Sequence, residues 1–136
     1  MIEVYIDGAS AGCGGVSGIG IVLKLSDGTV EEHAISVEAK NNHEAEFIAA
    51  IQALKLCLAK KLSSVSLRTD SQIVDRALNR HYVKNSLFQP YLEQFKQLET
   101  QFDLLFVKWI PSAQNKKADQ LAKTAIHRRK EGKTYE

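Results

Sequence analysis

The first 38 residues constrain the fold most. Residues 2–7 alternate, with Ile2, Val4 and Ile6 on one side and Glu3, Tyr5 and Asp7 on the other, the period-two pattern of a strand. A glycine-dense stretch holding Gly8, Gly12, Gly14, Gly15, Gly18 and Gly20 leads into a second apolar run from Ile19 to Leu25. Asp27-Gly28 is a hairpin turn signal, and Thr29 to Val37 supplies the returning strand. The chain therefore opens with a three-stranded antiparallel meander.

Asn41 with Glu44 three residues on resembles a capping box, and Phe47, Ala50, Ile51, Leu54 and Leu58 keep helical spacing behind it. Val65, Leu67 and Thr69 alternate in a fourth strand that ends at Asp70. Ile73 to Leu78 reads as a short helix and Phe88 to Leu98 as another. Leu104 to Val107 reads as a buried strand, and Asn115 to Ile126 as a last helix. The order βββαβααβα predicts an α/β fold, a mixed sheet with helices on its faces. At 136 residues it is one domain's worth, 1–136, with 127–136 expected as a frayed basic tail.

The formal charge of +2 conceals an uneven spread. From Lys108 to Lys133 there are eight basic and two acidic residues; the remainder holds ten basic and fourteen acidic. No apolar run approaches the roughly 18 residues of a membrane span. The start, Met-Ile-Glu-Val-Tyr-Ile-Asp, lacks the basic region of a signal peptide. Cys13 and Cys57 form neither a disulfide framework nor a C-x-x-C pair, so they read as reduced thiols of a cytoplasmic protein without membrane association.

Chemistry is signalled by where four acids fall. Asp7 closes the first strand and Asp70 the fourth; if those strands lie side by side and parallel, both carboxylates project from one carboxyl-end rim, where ligands of α/β sheets gather. Glu46 begins the long helix on the face of Ala49, Ala50 and Ala53, small residues that permit close approach to the sheet. Asp119 begins the last helix beside Ala118 and Ala122. Taken singly, such acids are turn formers, caps or partners of the helix dipole. Taken together they cannot all stay ionised without a cation, because like charges raise each other's pKa. Hard oxygen donors without convergent His or Cys select Mg²⁺ or Mn²⁺. Two such ions about 3.5–4 Å apart can clamp both the attacking and leaving oxygens of a phosphodiester.

The blocks Asp7-Gly8-Ala9-Ser10, Asn41-Asn42-x-x-Ala45-Glu46-Phe47, Thr69-Asp70-Ser71-Gln72 and Ala118-Asp119-x-Leu121-Ala122 resemble, in order, the motifs of ribonuclease H type 1. The resemblance covers almost the whole chain and looks closest to small ribonuclease H-like proteins of Gram-positive bacteria. It implies a ribonuclease H-like fold, with a five-stranded mixed sheet of three antiparallel strands and parallel additions. It also implies that Asp7, Glu46, Asp70 and Asp119 are catalytic, metal-binding carboxylates for two Mg²⁺ ions, which Mn²⁺ can replace. The implied reaction cleaves the RNA strand of an RNA–DNA hybrid, leaving a 3′-hydroxyl and a 5′-phosphate, and a monomer is expected. Asn41, Asn42 and Gln72 match positions that touch the hybrid, where an amide can both donate to and accept from a 2′-hydroxyl. Ser10, Gly12 and Cys13 of the first loop, with Lys116 and Lys117, complete the expected substrate contacts.

Three departures accompany the match. The loop Trp109 to Lys117 has no histidine where many members carry one, and His43 does not stand in by position. Cys13-Gly14-Gly15 replaces the usual Asn-Pro start of the first loop. The interval Arg80 to Ser86 is too short for a basic protrusion, so phosphate grip is expected from Lys108, Lys116, Lys117, Lys123, Arg128 and Arg129 instead. Trp109 and Cys57 read as core. These departures keep a second reading open, a hybrid-binding module with weak or no turnover.

Overall fold

A computed structural model describes residues 1–11 and 16–130. It contains β1 (Ile2–Ser10), β2 (Val16–Lys24), β3 (Val30–Glu38), α1 (Asn42–Ala59), β4 (Ser64–Thr69), α2 (Gln72–Arg80), α3 (Gln89–Glu99), β5 (Leu104–Trp109) and α4 (Lys116–Lys130). Short 3₁₀ turns at Ser86–Phe88 and Ser112–Gln114 lead into α3 and towards α4. The five strands form one sheet in the order β3-β2-β1-β4-β5. β1, β2 and β3 pair antiparallel, whereas β4 and β5 add in parallel. The mixed sheet expected from the element order is the one observed.

Register decides what each face carries. On one face Val4, Ile6, Ile19, Ile21 and Leu23 meet Phe47, Ala50, Ala53 and Leu54 of α1 in a core from which water is excluded. The other face presents Gly18, Gly20 and Val22 to α4. A Cβ on Gly20 would fall on the backbone carbonyl of Ala118, so glycine is what lets α4 lie against β2. Gly8 does the same for α1, since a Cβ there would enter the peptide between Ala45 and Glu46. α1 starts as the sequence indicates: Asn41 Oδ1 accepts the Glu44 N–H at 2.9 Å, and Glu44 Oε1 accepts the Lys40 N–H at 2.6 Å. Tyr91 of α3 donates to Glu44 Oε2 at 2.9 Å, pinning α3 to this turn.

Some boundaries differ from those read in the sequence. β2 starts at Val16, before the apolar run, because Ser17 and Gly18 already pair with Ala9 and Ser10 of β1 without an apolar signature. α4 continues past Ile126 to Lys130, so residues 127–130 are helical; the rest of the expected tail, 131–136, lies outside the described residues. β5 is not fully buried. It forms an edge of the sheet while α4 packs on β1, β2 and β3, which leaves Leu104 and Phe106 half exposed. Trp109 is 40% exposed at the end of β5, and the neighbouring Ile110 is buried instead. Cys57 is fully buried, as expected, and burial pushes its thiol up to about 11.

Candidate active site

The parallel pairing of β1 with β4 runs through Ile6 and Thr69, so Asp7 and Asp70 follow each other at adjacent strand ends. α1 brings Glu46 to the same place over Gly8. One oxygen from each of Asp7, Glu46 and Asp70 lies within 4.8 Å of the other two. Asp119, in the first turn of α4, borders this trio: it shares a side-chain hydrogen bond with Asp7 and an ion pair with Lys123 Nζ at 3.0 Å. Three of the four acids singled out in the sequence thus form the tight cluster, and the fourth stands at its edge.

Crowding shows in the acidities. Burial, then the charges of Asp70, Asp119 and Glu46 and the bond to Asp119, push Asp7 up to about 8. A carboxyl that retains its proton so far above the ordinary range can donate to Asp119. Burial also raises Glu46, against the hydrogen bond from His43, whose Nδ1 lies 3.1 Å from Glu46 Oε1. Burial is again the main cause for Asp70, opposed by hydrogen bonds from Asn115 and Ser112. The trio offers only carboxylate oxygens, the donor set of a hard divalent cation. A dication there would offset both the burial and the repulsion that hold these groups up, so the residues present fit such an ion.

The other expected contacts are scattered around this centre. Asn41 caps α1, and Asn42 Oδ1 accepts the Ser10 N–H at 2.7 Å, joining the end of β1 to the start of α1. Gln72 is exposed at the start of α2. Gly12 and Cys13 lie outside the described residues. Lys116 is exposed, but Lys117 pairs with Glu32 at 3.6 Å and Lys123 with Asp119, so these two cations of the basic end already have acidic partners.

A more open cationic surface lies on the other flank. A groove of about 920 Å³ runs between the start of α1, α2 and the segment after it, lined among others by Asn41, His43, Arg76, Arg80, Lys84 and Asn85. The segment too short for a protrusion therefore still closes a groove. Its sequence signal was Arg76 and Arg80 at i, i+4 on α2, with Lys84 four residues further on. Asn115 was also missed as a functional residue. It is 2% exposed, donates to the Ile6 carbonyl at 2.8 Å and bonds Asp70, so it locks the ends of β1 and β4 to the start of α4. Trp109 Nε1 donates to the Asp70 carbonyl at 3.1 Å, a rim position rather than a core one.

A sequence profile described as reverse transcriptase-like matches residues 6–125. EbsB of Enterococcus faecalis, which carries the name of a hydrolase, is 41% identical over 130 residues, covering 94% of this chain and 96% of that protein. Ribonuclease HI of Halobacterium salinarum is 33% identical over 130 residues, 92% of this chain and 64% of that protein. The crystal structure of RNase H1 from the same archaeon superposes with a TM-score of 0.85 at 31% identity, over 93% of this chain and 97% of that one. LC11-RNase H1, isolated from compost by a metagenomic approach and solved with an RNA/DNA hybrid, gives 0.84 at 28% identity over 95% and 99%.

Proposed function

This chain belongs to the reverse transcriptase-like family of ribonuclease H folds, and from that membership we propose that it hydrolyses the RNA strand of RNA–DNA hybrids, leaving a 3′-hydroxyl and a 5′-phosphate. The observation that carries the proposal is the convergence of Asp7, Glu46 and Asp70 within 4.8 Å beside a groove lined with arginines. These carboxylates, with Asp119 at the margin, would hold Mg²⁺, two ions per site, with Mn²⁺ able to replace it. When bound, such ions supply positive charge for the attacking water and the leaving oxygen of an in-line displacement.

The chain's own residues have separable tasks in this reading. Asn115 and Trp109 hold Asp70 in place from the side chain and the backbone respectively. Asn42 uses its carbonyl oxygen on Ser10 and meets a 2′-hydroxyl with its NH₂ donors, while Asn41 and Gln72 lie on either side of Glu46 in the chain, at the starts of α1 and α2. Arg76, Arg80 and Lys84 face the phosphates of the second strand, and Lys116 extends the cationic rim on the α4 side. Ser10, at the end of β1, is assigned as a further substrate contact, and the same role is proposed for Gly12 and Cys13. We assign the activity to a cytoplasmic monomer; among the described residues no helix is long and apolar enough to cross a membrane.

The test is cleavage of a labelled hybrid with Mg²⁺ or Mn²⁺ across pH 7–9, with Asp70→Asn as the control for contaminating nucleases. An uncut hybrid overturns the proposal. The second reading, a hybrid-binding module with little turnover, has one observation in its favour: the Lys123 ammonium lies 3.0 Å from Asp119 and competes with a metal for that carboxylate. Preference for hybrid over duplex DNA in Ca²⁺, followed by no cleavage in Mn²⁺, would select it.

A further inference from the structure

His43 stands in the first turn of α1, three residues before Glu46, so one helical turn brings both side chains to the same face. Its Nδ1 lies 3.1 Å from Glu46 Oε1. An ionised carboxylate only accepts, so Nδ1–H is the donor in that contact. Glu46 receives a second bond from the Ser71 hydroxyl, whose oxygen in turn accepts the Val74 N–H at 3.2 Å. Without these two bonds the Glu46 side chain would be free to sample other rotamers; with them, the carboxylate is held where one of its oxygens meets those of Asp7 and Asp70. Ser71 is buried and caps α2, so its role is shared with folding. The His43 side chain is 49% exposed and packs no core. His43 also lines the arginine groove.

We propose that His43 is the positioning residue for Glu46: its Nδ1–H presets the carboxylate for a divalent cation, and its loss lowers metal affinity without loosening the fold. The proposal rests on the reading of Asp7, Glu46 and Asp70 as a metal centre, and it adds a residue from outside the carboxylate set. Groups that orient a metal ligand typically alter affinity by about ten- to a hundredfold when removed.

The experiment measures Mn²⁺ binding to the metal-free protein from the electron paramagnetic resonance signal of the unbound ion. His43→Ala is expected to weaken binding by about tenfold. His43→Asn, whose amide NH₂ stands where Nδ1 stood, is expected to restore most of it. Thermal unfolding of both variants without metal should match that of the parent protein. In hybrid cleavage, the Mn²⁺ concentration for half-maximal rate should rise in His43→Ala and return towards the parent value in His43→Asn. Parent-like Mn²⁺ affinity in His43→Ala overturns the proposal, as does a loss that His43→Asn does not restore. So does a parent protein that binds no Mn²⁺, which removes the metal reading as well. If the parent leaves hybrid uncut while the Mn²⁺ effect of His43 is present, hydrolysis fails and the positioning role stands.

Discussion

Asp7→Asn keeps the shape of the most crowded acid in the molecule and removes its charge. In the metal-free fold Asp7 is pushed from 3.8 to about 8, chiefly by burial and then by the neighbouring acids. About four units correspond to roughly 6 kcal/mol at 1.36 kcal/mol per unit. That is a ceiling, because Asp70, Glu46 and Asp119 share the relief that one proton brings. With the relief divided among interacting groups, the amide is expected to recover about 2 kcal/mol at pH 8, or about 6 °C in Tm for a domain of this size. The sign follows from linkage. A carboxyl raised in the folded state contributes its full stability below the unfolded pKa of 3.8 and loses it as pH rises towards about 8. The variant should therefore match the parent near pH 4, exceed it increasingly up to pH 8 and keep a constant lead above that. Urea unfolding in EDTA at pH 4, 5, 6.5, 8 and 9 measures the gap directly. A gap that does not change with pH, or no gain at pH 8, would refute the crowding argument. Adding Mg²⁺ should stabilise the parent and narrow the difference, since the amide is a poorer ligand for a hard cation.

Further outcomes follow from the surrounding contacts. Asn115→Ala removes the bonds to Ile6 and Asp70 and leaves a buried carbonyl unpaired, so denaturant unfolding should show a loss of about 1–3 kcal/mol, with a larger fall in kcat than in KM. Gly20→Ala pushes α4 off β2, which should cost about 1–3 kcal/mol by urea titration and displace Asp119 with it. Arg76→Glu combined with Arg80→Glu should weaken hybrid binding in Ca²⁺ and reduce the log–log salt slope by roughly two, whereas an unchanged slope would remove the groove from the binding surface. For the parent protein that slope should be no steeper than about −6; a steeper value would mean more phosphate contacts than the available cations supply.

Much of the fold was readable along the chain because its signals are local. Alternation in Ile2, Val4 and Ile6, the Asp27-Gly28 turn and the Asn41–Glu44 cap each involve a few neighbouring residues, and the structure keeps all of them. Where neighbours were uninformative, the reading failed. Apolar residues marked β5 as buried, yet its edge position exposes Leu104 and Phe106; Trp109 looked like core and stands at the rim. Basic residues near the end of the chain looked like a phosphate surface. Nothing in their local sequence could show that Lys117 would meet Glu32 from β3, 85 positions earlier, whereas the pairing of Lys123 with Asp119 is the i, i+4 contact that helical spacing itself allows.

The sequence by itself determined the order of elements, the mixed sheet that follows from it and the identity of the acids at strand and helix ends. These depend on periodicity, turn chemistry and caps, which act over one to four residues. Only the tertiary structure decided that one oxygen from each of Asp7, Glu46 and Asp70 lies within 4.8 Å of the others while Asp119 borders them through its bond to Asp7. It also decided that Asn115 bonds Ile6 from 109 positions away, and that α2 closes a groove against α1. Those juxtapositions are set by which strands pair, in which register, and by how closely glycines let helices approach. Each is a property of the packed sheet and is not encoded in the residues on either side of any one position.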